Sequence, residues 1–141
     1  MIYTSYFAKL RKMPENIIPI AICAKVPDWY TGLQYKKLAP KYEFFNKWKQ
    51  NHNNEEFVKC YNKEVLENLN DSSILNDVYE MLPELEKMGL YITNCPWYDN
   101  PSIHIALICY EKPEDFCHRH LVADWLNKNG IRCEEWNESK V

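Results

Sequence analysis

Glycine is scarce in this chain, with three among 141 residues, and there is no long apolar run and no Cys-x-x-Cys pair. No stretch approaches the roughly 20 apolar residues that a bilayer-spanning helix needs, so no membrane segment is expected. Without Cys-x-x-Cys, the commonest close pair of zinc ligands is missing. The formal charge is only −3, which argues against a protein that holds nucleic acid through a globally basic surface. Residues Met1 to Phe7 carry no basic leader, long apolar core or small-residue cleavage site. The expectation is therefore no signal peptide and a cytoplasmic location. Internal repeats and low-complexity segments are also lacking.

What is present is an ordinary globular composition, 46% apolar and 14% aromatic, with ten Tyr and five Trp. The length suits one domain, taken as residues 1–141. Six cysteines lie on apolar segments or beside His and Arg, which suggests reduced thiols rather than a disulfide framework.

The segment Asn16 to Ala24, NIIPIAICA, reads as a buried strand, with Pro19 near its start or at an edge. A loop-rich stretch follows, and a short helix is expected from Glu43 to about Gln50. A second helix, capped by Asn54, aligns Phe57, Tyr61, Val65 and Leu69 on one face. A third starts at Asp71 or Ser72, carries Ile74, Leu75, Val78 and Leu82, is kinked by Pro83 and stops at Gly89. SIHIALICY, residues 102–110, is a strand apolar on both faces. The next helix, with Asp115 a possible cap, turns Leu121, Val122, Trp125 and Leu126 inward and ends at Asn129-Gly130, before a strand in IRCEEW. Strand, helix and strand in succession imply a parallel crossover. The expected fold is α/β, a single three-layer sandwich with a mostly parallel sheet flanked by helices.

Between the 102–110 strand and its helix lies CYEKPEDFCHRH, residues 109–120. Ligands of open α/β sheets bind at such carboxyl ends of strands. Unpaired N–H groups in the first helical turn favour anions, and they lower a cysteine pKa below its ordinary value of about 8.5. Four readings compete. A metal site would use Cys109, Cys117 and a histidine, His120 lying three positions from Cys117, with a further ligand from Cys95 or His104. An activated thiol would be Cys117 beside His118. It is not a phosphatase loop, because Cys109 and Arg119 stand too far apart with no glycine between them. An anion pocket would use Arg119 as a bidentate fork and Glu111 as hydrogen-bond acceptor or general base, with aromatics of residues 29–35, Tyr35 among them, stacking on a base. The fourth reading is a purely structural helix start. Lys25, after the first strand, is placed to face either the same crevice or solvent. Five lysines, Lys36, Lys37, Lys41, Lys47 and Lys49, interleave with Tyr35, Tyr42 and Trp48 as a nucleic-acid patch or a solvated helix face. Trp97 or Tyr98, in the loop before the 102–110 strand, could lid the crevice.

At ALICYEKPEDFCHRHLVADWL the chain resembles the domain-of-unknown-function family 488. The shared pattern is an apolar strand, Cys-x-Glu, a short loop, Cys-His-Arg and a helix, matched here by Cys109, Glu111, Cys117, His118, Arg119, Leu121 and Ala123. IYTSYFAKL, IIPIAICAK and WYTGLQYKKLAP are similar to one branch of that family. The resemblance implies a small cytoplasmic α/β domain of prokaryotes or their phages, with a role around nucleotides or nucleic acid and a polar cluster at Cys109, Glu111, Cys117, His118 and Arg119. The chain departs from many relatives at His120, where they carry Arg. It departs from other branches at Cys23 and Lys25, where they carry an acid and an Arg.

The expectation carried forward is a nucleotide- or nucleic-acid-directed enzyme. Glu111, Cys117 and His118 would be catalytic, with Arg119, Lys25, Cys109 and Tyr35 binding substrate. The alternatives are a non-catalytic binding module for the same ligands and a Cys/His metal-binding protein. No cofactor is assigned.

Overall fold

The computed structural model describes residues 1–81 and 103–138. Five parallel strands form one sheet: β1 (Ile2–Tyr6), β2 (Ile17–Ala21), β3 (Leu33–Gln34), β4 (His104–Cys109) and β5 (Cys133–Glu135), in the order β3-β2-β4-β1-β5. The described α-helices are α1 (Tyr42–Asn51), α2 (Asn54–Glu64), α3 (Asp71–Glu80) and α4 (His118–Lys128). The α/β sandwich is thus observed, with an all-parallel sheet.

β4 is central because both of its faces are apolar. Ile105 and Leu107 join one core cluster, and Ala106 and Ile108 join the other. This is the two-residue alternation of a strand covered on both sides. The first cluster takes Phe44, Phe57, Tyr61, Ile74, Leu75, Val78, Val122 and Leu126 from the four helices. Among the described residues, the second face is covered by the short helix Phe7–Lys12, Tyr30 and Trp136.

The helix starts differ from the sequence expectation. α2 is capped by Asn53, whose side chain accepts from the Glu56 N–H, and α3 by Asn70, which accepts from Ser73. In each case the Asn side chain lies where it can reach the N–H three residues on. α4 begins at His118 rather than after Asp115, with Cys117 at the cap position. The Asp115 N–H closes a turn onto the Lys112 carbonyl at 3.0 Å, so this segment is not yet helix. β1 was not anticipated as a strand. Its Thr4 and Ser5 are polar yet buried, which conceals the apolar alternation. Pro19 sits inside β2, but pairing with β3 begins only at Ile20, so the missing N–H falls where the neighbouring strand has not started. Leu82, Pro83, Gly89, Cys95, Trp97 and Tyr98 lie outside the described residues.

Candidate functional site

Parallel pairing of Ala21 with Ile108 brings the ends of β2 and β4 together, and both chains run on past the sheet in the same direction. The Ile22 N–H still donates to the Ile108 carbonyl at 3.0 Å. Beyond that point the strands part, and a cavity of about 670 Å³ opens between them. Cys23 and Lys25 line it from the β2 side, Cys109 and Glu111 from the end of β4, and Cys117 and His118 from the start of α4.

The opposite wall is aromatic. His52 (φ 52) ends α1 in the left-handed conformation and Asn53 caps α2, so the two helices form a tight hairpin. The hairpin sets Trp48 against Phe57, with ring centroids 6.0 Å apart. Phe116, from the turn before α4, stacks on Trp48 at 5.6 Å and meets Phe57 edge-on at 5.2 Å. Phe45 and Tyr42 extend this wall toward solvent.

His118 is buried between the two walls. Its Nε2 lies 2.7 Å from the Ile22 carbonyl oxygen. A carbonyl only accepts, so Nε2 carries a proton and donates it to Ile22, which turns Nδ1 the other way. Nδ1 faces Cys109 Sγ at 3.8 Å. The ligand atoms of Cys109, Cys117 and His118 all lie within 4.8 Å of one another. The Cys109 thiol also reaches Glu111 Oε2 at 3.5 Å.

Electrostatically the two thiols divide the labour. A hydrogen bond from Cys109 holds Cys117 toward the thiolate, against the cost of burial, with further help from His118 and the Arg119 main-chain N–H. Cys109 is correspondingly held as a thiol, first by its bond to Cys117 and then by burial. Burial, and then the Cys117 charge, raise the Glu111 pKa above the ordinary carboxylate value. The shift is in the direction that favours the protonated carboxyl.

Four residues singled out in the sequence lie outside the cavity cluster. Arg119 is fully buried and does not line the cavity. Its Nε and Nη2 donate to the two oxygens of Glu135 at 3.1 and 3.0 Å, and Nη1 donates to the Glu111 carbonyl at 2.6 Å. Burial opposes its charge, but Glu135 and the nearby Cys117 together outweigh this and raise its pKa. The bidentate fork is real, but it grips a carboxylate of the protein. The Tyr35 hydroxyl donates to Asp77 at 2.7 Å, and its ring belongs to the first core cluster, not the cavity. His120 pairs with the Asp115 carbonyl at 3.2 Å and lies outside the sulfur cluster, where His118 takes its place. His104 starts the six-residue β4 that Cys109 ends, roughly 17 Å away at about 3.3 Å per residue, so it cannot join the cluster.

Four of the five lysines have partners within the protein. Lys36 donates to the Ala24 carbonyl, Lys37 pairs with Asp77, Lys47 with Glu56, and Lys49 lies over the Phe45 ring. Sequence reasoning missed the α1 wall. Its signal was Phe45 and Trp48, three apart on a helix whose charged residues drew the attention.

Fold and site together define an α/β protein with a thiol–imidazole–carboxylate cluster at the carboxyl edge of its sheet, opposite an aromatic wall. None of the protein-family models, curated proteins or solved structures compared with the chain matches it.

Proposed function

We propose that the protein is an enzyme acting on a nucleotide, whose base enters between the aromatic wall and the Cys109–Glu111–Cys117–His118 cluster. One observation carries this reading: a single cavity has π-faces on one side and proton-transfer groups on the other. Its volume of about 670 Å³ falls in the range of small-molecule sites, roughly 300 to 1,000 Å³. Aromatic faces hold bases by stacking without selecting among them, so the polar wall would supply the discrimination. Lys25 and Lys49 also line the cavity and would receive a phosphate, a role that Arg119 does not fill. Glu111 would move the proton, and Cys117 and His118 would face the reacting atom. The resemblance to family 488 points to the same turn as the site.

Nucleoside monophosphates titrated against the full chain are expected to quench the fluorescence of Trp48, with the Trp48→Phe variant as the control for the other tryptophans. Glu111→Gln is expected to retain that binding while product formation, followed by mass spectrometry, is lost. Absence of quenching by every nucleotide, or unchanged turnover in Glu111→Gln, overturns the reading. Binding without turnover in the unaltered chain would leave a binding module in its place.

A further inference from the structure

Two cysteine sulfurs and an imidazole nitrogen converge at the end of β4, all three residues buried, yet they also line a cavity. In a tetrahedral zinc site the metal–sulfur and metal–nitrogen bonds are about 2.3 and about 2.0 Å, which places sulfur and nitrogen roughly 3.6 Å apart. Cys109 Sγ and His118 Nδ1 are 3.8 Å apart. This pair thus stands close to the spacing that a metal would impose, and Cys117 Sγ lies within 4.8 Å of both atoms.

The surroundings carry the argument further. A metal-bound histidine almost always donates its second ring N–H to a carbonyl or carboxylate, which fixes the ring and aims the other nitrogen. His118 makes this contact with the Ile22 carbonyl at 2.7 Å. Thiolate and imidazole ligands together select zinc and its soft neighbours over magnesium or calcium. Glu111 is outside the three-residue cluster but within 3.5 Å of the Cys109 sulfur, beside the side that faces the cavity.

We propose that Cys109, Cys117 and His118 bind a zinc-type divalent ion, with its fourth position open to the cavity and within reach of Glu111. The proposal rests on the enzymatic reading in sharing its cavity and giving Glu111 a defined task. Three protein ligands with one open position are the pattern of catalytic rather than structural zinc. A water at that position would pass a proton to Glu111. The resulting hydroxide would form a C–O bond at an electrophilic carbon of the ligand, and the displaced group would leave with the proton that Glu111 had taken up.

Cobalt(II) titration of the full chain, stripped of metal by chelator, is the test. The expected result is one cobalt per chain, with the visible bands of a tetrahedral ion and a thiolate charge-transfer band. Cys117→Ser and His118→Ala should each weaken binding by about 100-fold or more, given that even outer-shell losses cost about 10–100-fold. Cys60→Ser, on α2 and outside the cluster, should leave the spectrum unchanged. Added cyanide should shift the bands by occupying the open position. Lack of tetrahedral cobalt in the folded chain, or bands that survive both ligand substitutions, overturns the site. Bands that ignore cyanide overturn its open position and make the ion structural. Nucleotide quenching of Trp48 on the metal-free chain is read separately. Quenching without cobalt binding removes the metal and spares the enzymatic reading, whereas cobalt binding without quenching does the reverse.

Discussion

Two polar groupings sit back to back at the 109–120 turn, and they are built on opposite terms. Arg119, Glu135 and Thr4 form a closed one: the guanidinium satisfies Glu135 and the Glu111 carbonyl, and Thr4 Oγ1 donates to Glu135 at 2.7 Å. Cys109, Glu111, Cys117 and His118 form an open one, in which the groups face each other and a cavity. His118 and Arg119 are adjacent in sequence, but at 3.6 residues per turn consecutive side chains diverge by about 100° around the helix. One residue lands in the cavity and the next behind it. The closed grouping fixes the carbonyl of Glu111, so it holds the frame on which the open grouping is displayed.

The comparison breaks most visibly at the closed grouping. Glu135→Ala strands a fully buried guanidinium and is expected to cost about 3–5 kcal/mol in urea-induced unfolding. Arg119→Ala should cost less, because the abandoned Glu135 side chain is 25% exposed and can be solvated. Equal costs would mean that the two ends of the pair are buried alike, which the structure denies. A smaller effect is expected at Tyr35, away from both groupings. Tyr35→Phe removes one hydrogen bond to a carboxylate, worth about 1–2 kcal/mol. Hydrogen bonds from Tyr35 and then Lys37 hold the Asp77 pKa below its ordinary value. Their contribution is therefore present above the unfolded Asp pKa of about 3.9 and fades as pH falls through the lower folded value. The stability gap between Tyr35→Phe and the parent should narrow in acid. A gap that widens there would reverse the assigned sign. The smallest effect belongs to the open grouping. Glu111→Gln should change unfolding free energy by about 0.5 kcal/mol or less, since the half-buried side chain keeps its shape and its acceptor toward Cys109 as an amide. A loss as large as that of Glu135→Ala would erase the distinction between the two groupings.

How much of this could be read from the chain differs by element, for physical reasons. β4 and the apolar faces of α2 and α4 were legible, because burial imposes a period and period survives in sequence. β1 was not, since Thr4 and Ser5 are buried through hydrogen bonding and topology rather than apolarity. The helix starts were displaced by one residue at Asn53 and by one or two at Asn70, where runs of Asn, Asp and Ser offer several competent caps. In the site, local spacing was enough to single out residues 109–120 as a group. It could not assign Arg119 to Glu135 or His118 to Ile22, contacts that span 16 and 96 positions and exist only once strands are paired. The aromatic wall was hidden for the same reason, because nothing in α1 announces that it will face β4.

The bond between His118 and the Ile22 carbonyl belongs to the main chain, so side-chain substitution at position 22 cannot delete it. The tautomer of the histidine is in effect encoded by strand register: it holds as long as β2 is seated where it is beside β4. An alanine scan would pass over this determinant in silence. A one-residue slip, or a bulge engineered between Ala21 and Cys23, would withdraw the acceptor from Nε2 and displace Cys23 and Lys25 in the cavity wall with it.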